Sequence, residues 1–517
     1  MTVARPFDHA AAHRILARVA YGAGAGEAAA LARSGLPAWI ERQFALPVAE
    51  PAVEARIDAL LIPVRYAAGP GEQILDEQRP PVSLRQSQAE RWWLGDLRRA
   101  SRAVGPERDR PRLELTLATL LRKVAAEAQL RERLVEFWHD HFSVAFPADA
   151  RVSVSLPEHD KRIRAHAFGR FRDLLEDMAT SPALLFYLNN EISRAGAPNE
   201  NFARELFELH TLGRAAYQGQ GREVPKLPGG GAAFYVDADV WEAARAFTGW
   251  SVANGQQFDG ARTLPRTGTF AYVATWHDPY QKRCLGRALE AFAPAMAHGR
   301  AVLDALAAHP ATARFICTKL ARFLLGEPVP APAVARAEAA FRRHAERPDQ
   351  IARVVHSLLD GPEASDPRLS RTRRPVDAMA AAARALVVPF TPNPGLGGQL
   401  AAAGQLPFGW LSPDGQPLDA EPYLGATALR ARWTLLLNLA RNTGGTGLSP
   451  LYAELARAPV GDVAGRLGEA MLGPAGAAVG ETVAGVWTAA GRNPRPSPAE
   501  VAEVAGWVLT APAFQLA

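Results

Sequence analysis

Hydrophobic and polar positions along most of this chain alternate with the three-to-four-residue spacing of amphipathic helices. Near the start, "HAAAHRILARVAY" is followed by "GEAAALARS" and "LPAWIERQF", with Gly35 separating the last two. The pattern therefore predicts a mainly α protein. Longer helical runs are predicted over approximately residues 83–103, 111–143, 160–179 and 200–212.

Only one stretch has the composition of a β-strand. In "TGTFAYVATW", Thr267 to Trp276, aromatic and β-branched residues fall close together. The turn residues of "HDPYQ" and the following "KRCLG" predict one small β-hairpin near residues 267–286. The glycines of "YGAGAGE" mimic part of a dinucleotide-binding motif, but that motif needs a preceding strand. A helix precedes them here, so a helix-to-helix turn is predicted.

The 517 residues are interpreted as one unit without internal repeats or coiled-coil heptads. Residues 1–330 are expected to form a helical core with the candidate site, and residues 331–517 a C-terminal helical portion. A long Gly/Pro-rich loop is predicted near residues 390–422. Because Phe408 and Trp410 need burial, this loop is expected to pack against the protein.

Composition narrows the class of protein. Hydrophobic residues make up 48% and charged residues 21%, as in soluble globular proteins. No transmembrane segment is predicted, since no apolar run reaches the roughly 18 residues that a membrane helix needs. The start, "MTVARPFDHAAAHR", lacks the apolar region of a secretory signal, so a cytoplasmic location is expected.

The charge pattern does not favour nucleic acid as a partner. The net charge of +5 comes from 58 basic and 53 acidic residues spread along the chain. Nucleic-acid binding needs clustered positive charge, and only "RTRRP", Arg371 to Pro375, comes close. The two cysteines, Cys284 and Cys317, make neither a zinc motif nor a disulfide framework. Cys317 lies on an apolar helical face and is expected in the core.

The segment "EFWHDHF", Glu136 to Phe142, combines two histidines and an aspartate with three aromatic residues. Helical spacing continues a core stripe through Leu134 and Phe137 to His141, which therefore faces inward. His139 lies about 200° away around the helix and points elsewhere. Only His141 is an inner-site candidate, and the alternative is a core histidine with its hydrogen bonds satisfied.

The segment "APNENFARELFELHTLG" predicts a helix capped by Asn199. Its residues Glu205 and Glu208, one turn apart, resemble the inward-facing carboxylates of metal-binding helices. Together with His141 they are predicted to hold a divalent cation. The alternative is ion pairing, in which Arg204 pairs with Glu208 and another arginine meets Glu205.

Two further segments supply candidates for catalysis. In "DADVWEAARAFTGW", Glu242 and Arg245 share a helix face, which could place Arg245 opposite the Glu205 stripe. In "WHDPYQKRCLG", His277 and Asp278 adjoin in a turn, where such a pair suits proton transfer. The predicted catalytic residues are therefore His277, Asp278 and Arg245.

Two function classes follow. In the first, these residues and a divalent metal serve a hydrolase or oxidoreductase that acts on a small or polymeric substrate. No GxSxG, P-loop or HExxH motif narrows that reaction. In the second, the chain is a non-catalytic accessory or assembly protein with a protein partner, and its Arg–Glu–His network is structural.

Several motifs, in this order, resemble the bacterial family of unknown function DUF 1800. The resemblance implies one family-length unit and no established reaction, and its members often look exported. The family pattern has Leu-Asp-Asn where this chain has Leu188, Asn189 and Asn190, so Asn189 cannot supply an aspartate's charge. The matching segments are "FWHDHFSV", "FRDLLEDMATSPALLFYLNN", "APNENFARELFELHTLG", "DVWEAARAFTGW", "WHDPYQKRCLG", "HPATARFICTKLARFLL", "RRPVDAMAAAARAL" and "LTAPAFQLA".

Overall fold

The computed structural model describes residues 8–67, 74–97, 107–220, 224–228, 230–442 and 447–517. Helices dominate these residues and the strands form only short antiparallel pairs, so the predicted mainly α fold is confirmed. None of the helices in these ranges is both long enough and apolar enough to cross a bilayer.

The helices up to residue 246 build most of one large hydrophobic core. The predicted run 111–143 is two helices, because the chain leaves the helical conformation around Ala126 and Ala128. These helices are α1 (His9–Val19), α2 (Glu27–Ser34), α3 (Leu36–Ala45), α4 (Pro51–Asp58), α5 (Gln88–Gly95), α6 (Arg110–Ala125), α7 (Gln129–His141), α8 (Ala150–His166), α9 (Phe171–Ala179), α10 (Pro182–Tyr187), α11 (Glu200–Glu208) and α12 (Asp237–Ala246).

The remaining helices complete this core and build a second one. Those from 297 to 359 pack into the first core, while Ala378 to Phe514 contribute a separate apolar cluster. These helices are α13 (Ala297–Ala307), α14 (Pro310–Leu325), α15 (Ala331–Arg343), α16 (Gln350–Leu359), α17 (Pro375–Ala385), α18 (Gly395–Ala402), α19 (Glu421–Leu424), α20 (Ala426–Arg441), α21 (Pro450–Leu455), α22 (Val460–Leu472), α23 (Gly476–Ala489) and α24 (Pro498–Thr510).

The strand pairing differs from the predicted hairpin. The segment from Thr267 pairs with the earlier segment Trp250–Asn254 rather than with "KRCLG", because a 3₁₀ turn at Ala274–Trp276 ends the strand. "KRC" pairs instead with residues 287–289. The strands are β1 (Ile62–Ala67), β2 (Ile74–Arg79), β3 (Trp250–Asn254), β4 (Gln257–Asp259), β5 (Arg262–Thr263), β6 (Arg266–Tyr272), β7 (Lys282–Cys284) and β8 (Arg287–Leu289), paired β1–β2, β3–β6, β4–β5 and β7–β8.

Local sequence explains the helix that carries the predicted carboxylates. Asn199 has extended backbone angles, and its side chain accepts a hydrogen bond from Phe202 N–H, as an N-cap should. Phe202 and Leu206 are buried on one face of α11, whereas Glu205 on the neighbouring face is half-buried. The amphipathic pattern therefore fixes which side of α11 its carboxylates occupy.

Candidate functional site

The C-terminal half of α7 lines a cavity of about 70 Å³. Residues 404–418, called the covering loop, also contribute side chains to the lining of this cavity. Since one water needs roughly 10–15 Å³ by such a measure, the space suits a molecule of a few non-hydrogen atoms. Its ionisable and hydroxyl side chains come from α6, α7 and the residues after α7, namely Thr119, Lys123, Glu132, Glu136, His139, Asp140 and Ser143.

The covering loop is tied to the rest of the protein by hydrogen bonds. Phe146 N–H donates to Phe408 O at 3.1 Å, and Tyr187 O–H donates to Leu411 O at 2.6 Å. Gly415 has φ +86°, and a Cβ there would lie 2.0 Å from Asp140 O. Only glycine therefore allows the loop to approach the end of α7 so closely.

His139 lies in the cavity wall, although helical spacing predicts that it faces away from the inner site. Its Nε2 is 3.0 Å from Asp160 Oδ1, and Arg164 Nε lies 2.8 Å from the other oxygen of Asp160. Burial alone would raise the pKa of the Asp160 carboxyl, but Arg164 and His139 hold that pKa far below its usual value. The ionised carboxylate therefore fixes the His139 tautomer with the proton on Nε2.

Three polar groups of the cavity wall have no hydrogen-bond partner within the part of the chain that the structure describes. They are Thr119 Oγ1, which is buried, together with His139 Nδ1 and Ser143 Oγ. Buried polar groups are normally hydrogen-bonded, so the unpaired Thr119 hydroxyl in the wall of this cavity indicates a site for a ligand or water. Sequence reasoning missed Asp160 and Thr119, because nothing in the spacing of α8 or α6 links them to α7.

A buried ion-pair network around Glu136 forms part of the cavity wall. Lys123 Nζ lies 3.0 Å, Arg133 Nη1 2.8 Å and Arg374 Nη2 2.6 Å from its carboxylate oxygens. Arg374 Nη1 also lies 2.7 Å from Asp140. Although burial opposes it, the three cations hold the pKa of Glu136 at about 2. Glu136 is therefore an anion at neutral pH and is fully engaged by these cations.

The network also accounts for the basic segment "RTRRP". Arg371 pairs with Asp377 at 2.8 Å, and Arg133 pairs with the other oxygen of Asp377 at 2.8 Å. Arg373 is buried and donates to Phe514 O at 3.4 Å. The segment is therefore part of the protein interior and does not form a basic surface patch.

His141 lies inside the protein, as its helical position predicts, with 1% of its surface exposed. Its Nε2 is 3.0 Å from His210 O, and its Nδ1 is 3.1 Å from Lys319 Nζ. Burial, with a smaller contribution from Lys319, lowers the pKa of His141 well below 6.5. His210, also 1% exposed, has no partner for either ring nitrogen among the described residues.

The two predicted carboxylates of α11 have different surroundings. Glu208 pairs with Arg204 at 3.4 Å, as the ion-pair alternative expected, and with Arg214 at 3.2 Å. Glu205 Oε2 is buried without a partner in the described ranges, and burial followed by repulsion from Glu208 raises the pKa of Glu205. No three His, Cys, Asp or Glu side chains of those ranges lie close enough to hold a metal. The metal site at His141, Glu205 and Glu208 stays a prediction.

The predicted catalytic residues form a separate group. Arg245 Nε lies 2.8 Å from Asp278 Oδ2, and its Nη1 lies 2.9 Å from Glu242. The Asp278 backbone N–H donates to Thr248 Oγ1 at 2.8 Å, which holds the turn beside α12. Arg245 therefore pairs with Asp278 and Glu242, and the expectation that it lies opposite Glu205 is wrong.

His277 also has a partner that sequence reasoning missed. Its Nε2 lies 2.9 Å from His298 Nδ1, and Lys282 Nζ lies 3.2 Å from the same His298 nitrogen. Burial lowers the pKa of both imidazoles. The segment around His298, "MAHGR", carries no motif that would have indicated this contact.

Fold and site define a mainly helical protein with a loop-covered cavity that has both apolar and ionisable walls. The chain belongs to the family described as "Protein of unknown function (DUF1800)", whose model matches residues 14–516. No curated protein and no solved structure matches it.

Proposed function

We propose that the chain is a hydrolase that cleaves small ester-type substrates in the cavity beside α7, with His139 as general base. The observation that carries this proposal is the hydrogen bonding of the two ring nitrogens of His139. Asp160 Oδ1 accepts a hydrogen bond from Nε2–H at 3.0 Å, while Nδ1 has no partner among the described residues, and His139 lines the cavity. An oriented imidazole with a free nitrogen is the usual arrangement of a general base.

The reaction consists of proton transfers and the replacement of the ester C–O bond by a bond from the carbonyl carbon to the oxygen of water. His139 Nδ1 accepts a proton from water, whose oxygen adds to the carbonyl carbon of the ester. The tetrahedral intermediate then expels the alcohol oxygen as the C–O bond breaks, and the imidazolium returns the proton to that oxygen. Asp160 stays ionised throughout and stabilises the imidazolium. The hydroxyls of Thr119 and Ser143 donate hydrogen bonds to substrate oxygens.

The shape of the cavity supports a small acyl substrate. The covering loop supplies apolar lining from Leu406, Pro407, Phe408 and Trp410, and the Phe408 ring packs against His139 with the ring centroids 5.0 Å apart. An apolar wall facing a few polar groups orients a ligand with one apolar and one polar end. The volume of about 70 Å³ favours acyl chains of two to about four carbons over longer ones.

Acid release from methyl esters with two- to eight-carbon acyl chains, followed by titration at constant pH, tests the proposal. The parent should prefer the short esters, and His139→Gln should lower kcat by about 10²–10⁴, the usual contribution of a general base. His166→Gln is the matched control, because His166 forms the same kind of pair with Asp177 at 2.9 Å outside the cavity lining. Equal activity in the parent and His139→Gln would overturn the proposal.

A metal-assisted hydrolase or oxidoreductase at His141, Glu205 and Glu208 remains the prediction from sequence. Elemental analysis of protein purified without chelator tests it, with Glu205→Ala and His141→Ala beside the parent. A near-stoichiometric metal that both variants lose would support it. The contacts of His141 with Lys319 and of Glu208 with two arginines weigh against it, since a cation would have to displace them.

A second candidate function is that of a non-catalytic accessory protein. The observation that favours it is the buried network around Glu136, which joins α6, α7 and the N-terminus of α17. Buried networks of this kind can serve to fix how helices pack. A parent protein without esterase activity, together with strong destabilisation by Glu136→Gln, would support this candidate over the hydrolase.

A further inference from the structure

The glycine-rich turn "YGAGAG", Tyr21 to Gly26, joins α1 to α2 and leads into a helix N-terminus without a side-chain cap. Gly26 is the N-cap residue and has φ +74°, a left-handed conformation that glycine adopts readily. The backbone N–H groups of Ala28 and Ala29, in the first turn of α2, have no hydrogen-bond acceptor among the residues that the structure describes. Such free N–H groups, together with the helix dipole, favour an anion at this end of α2.

A pocket of about 170 Å³ lies at this end of α2, where the two hydrophobic cores meet. Of its lining residues, Ala23 and Ala28 belong to the first core and Ala385 belongs to the second. Its rim includes Ala25 and Val387, which are exposed, so the pocket opens to solvent. Since one water needs roughly 10–15 Å³ by such a measure, the pocket holds a ligand of about ten non-hydrogen atoms or fewer.

His13 of α1 lines the same pocket and is 6% exposed. Its Nε2 is buried and has no hydrogen-bond partner in the described part of the chain. An unpaired buried nitrogen in the wall of this pocket points to a ligand independently of the helix N-terminus. Burial, followed by repulsion from Arg373, lowers the pKa of His13 to about 4, and His9 and Arg14 act in the same direction. Positively charged groups therefore surround this imidazole.

The nearby carboxylates leave the position at the helix N-terminus open. Glu27 accepts a hydrogen bond from Gly24 N–H at 2.9 Å and pairs with Arg384 at 2.7 Å, so its charge is compensated. Glu469 lines the pocket and is exposed. Its negative charge would repel a ligand with two negative charges more strongly than a ligand with one.

We infer that this pocket binds small monocarboxylates with a short apolar chain. One carboxylate oxygen accepts hydrogen bonds from the N–H groups of Ala28 and Ala29. The other oxygen accepts one from His13 Nε2, because the bound anion favours a proton on that nitrogen. The chain of the ligand packs against the side chains of Ala385 and Val387. This inference does not rest on the proposed esterase, since it concerns other residues and another cavity.

Isothermal titration calorimetry of the full chain with sodium butyrate near pH 7 tests the inference. Butyramide has nearly the same shape without the charge and should bind about 10-fold more weakly or less, because hydrogen bonds to a charged group usually contribute at least that factor. Succinate should also bind more weakly than butyrate, because its second carboxylate would meet apolar side chains or the charge of Glu469. No butyrate binding, or equal affinity for butyrate and butyramide, would overturn the inference.

Ala28→Pro removes one of the two backbone donors at a position where helices accept proline. Ala28 is the second residue of α2, and Pro37 and Pro332 occupy the same position in α3 and α15. This variant should weaken butyrate binding by about 10-fold or more, and so should His13→Phe, which removes the imidazole nitrogen. Thr427→Pro is the matched control and should bind as the parent does, because Thr427 is the exposed second residue of α20 and lies outside the pocket.

Thermal melts followed by circular dichroism establish that each variant is folded before titration. Parent-like butyrate affinity in folded Ala28→Pro and His13→Phe would overturn the inference. If Ala28→Pro does not fold, His13→Phe and the comparison with butyramide decide the outcome. Butyrate binding that His139→Gln removes would place the ligand in the cavity beside α7 and would also overturn the inference.

Discussion

Arg374 Nη2 lies 2.6 Å from Glu136 Oε1, an ion pair between residues 238 positions apart in the chain. The Arg374 side chain is completely buried, and its other terminal nitrogen lies 2.7 Å from Asp140. One guanidinium therefore joins the N-terminus of α17 to two turns of α7. It also holds part of the cavity wall beside His139.

Replacing this arginine should be strongly destabilising. Arg374→Met leaves Glu136 and Asp140 short of a buried cation, and such a loss lowers the free energy of unfolding by about 3–5 kcal/mol. Urea denaturation of Arg374→Met, Glu136→Gln and the double variant should give a loss in the double variant that is smaller than the sum. Arg42→Met is the control: its pair with Glu127 is 67% and 63% exposed and should contribute less than about 1 kcal/mol. Additive losses would contradict the coupling.

The sequence was most informative about local structure. Asn199 and the apolar spacing of α11 predicted that helix and its capped start, and the structure has both. The pairing of β6 with the earlier strand β3 was missed, although the chain between them carries the turn dipeptides Asn254-Gly255 and Asp259-Gly260. Helical periodicity fixes a face within one element, while the neighbour of that face depends on long-range packing.

The same limit applied to the candidate site. His141 faces inward as its spacing required, but its partners Lys319 and His210 come from distant segments. His139 was predicted to face away from that inner face. It still lines a cavity, because the covering loop packs on a second side of α7. Among the predicted site residues, Arg245 and Asp278 pair with each other, whereas His277 contacts His298 and His141 contacts Lys319.

A pH-dependent effect on stability is expected from Glu191. Its side chain is 4% exposed, burial raises its pKa to about 7, and its pair with Arg151 at 3.2 Å only partly offsets this. A carboxyl with a raised pKa binds its proton more tightly when folded, so stability falls as pH rises from about 4.5 through 7.

Glu191→Gln should therefore match the parent near pH 4 and exceed its free energy of unfolding by about 2–3 kcal/mol at pH 8. Guanidinium titrations at both pH values measure the difference. Glu136→Gln should have the opposite effect and lower the free energy of unfolding at neutral pH. The low pKa of Glu136 stabilises the fold above about pH 4.5, and this stabilisation is lost toward pH 2. A Glu191→Gln benefit that is equal at both pH values would refute the assigned cause.

The pairing of Asp160 with His139 predicts a tautomer effect. In Asp160→Asn the amide NH₂ can donate a hydrogen bond to His139 Nε2, which favours the tautomer with the ring proton on Nδ1 and removes the base from the cavity. We expect ester hydrolysis to fall by about 10²-fold or more, and ¹⁵N NMR of the imidazole should report the change in tautomer. Asp177→Asn alters the comparable pair of His166 and should leave hydrolysis unchanged. An unshifted His139 nitrogen spectrum in Asp160→Asn would refute the assignment.

Gly415 tests whether the covering loop closes the cavity. A Cβ at this position would lie 2.0 Å from Asp140 O, and φ +86° is itself unfavourable for alanine. Gly415→Ala should therefore displace the loop, which would speed hydrogen exchange of backbone amides in residues 404–418 and weaken ester hydrolysis by exposing the cavity to water. Gly398→Ala is the matched control, because no atom lies within 4 Å of its Cβ position in α18, and there alanine should stabilise the helix by about 0.5–1 kcal/mol. Unchanged exchange in Gly415→Ala would mean that the loop tolerates a side chain at this contact and that the backbone of α7 yields instead.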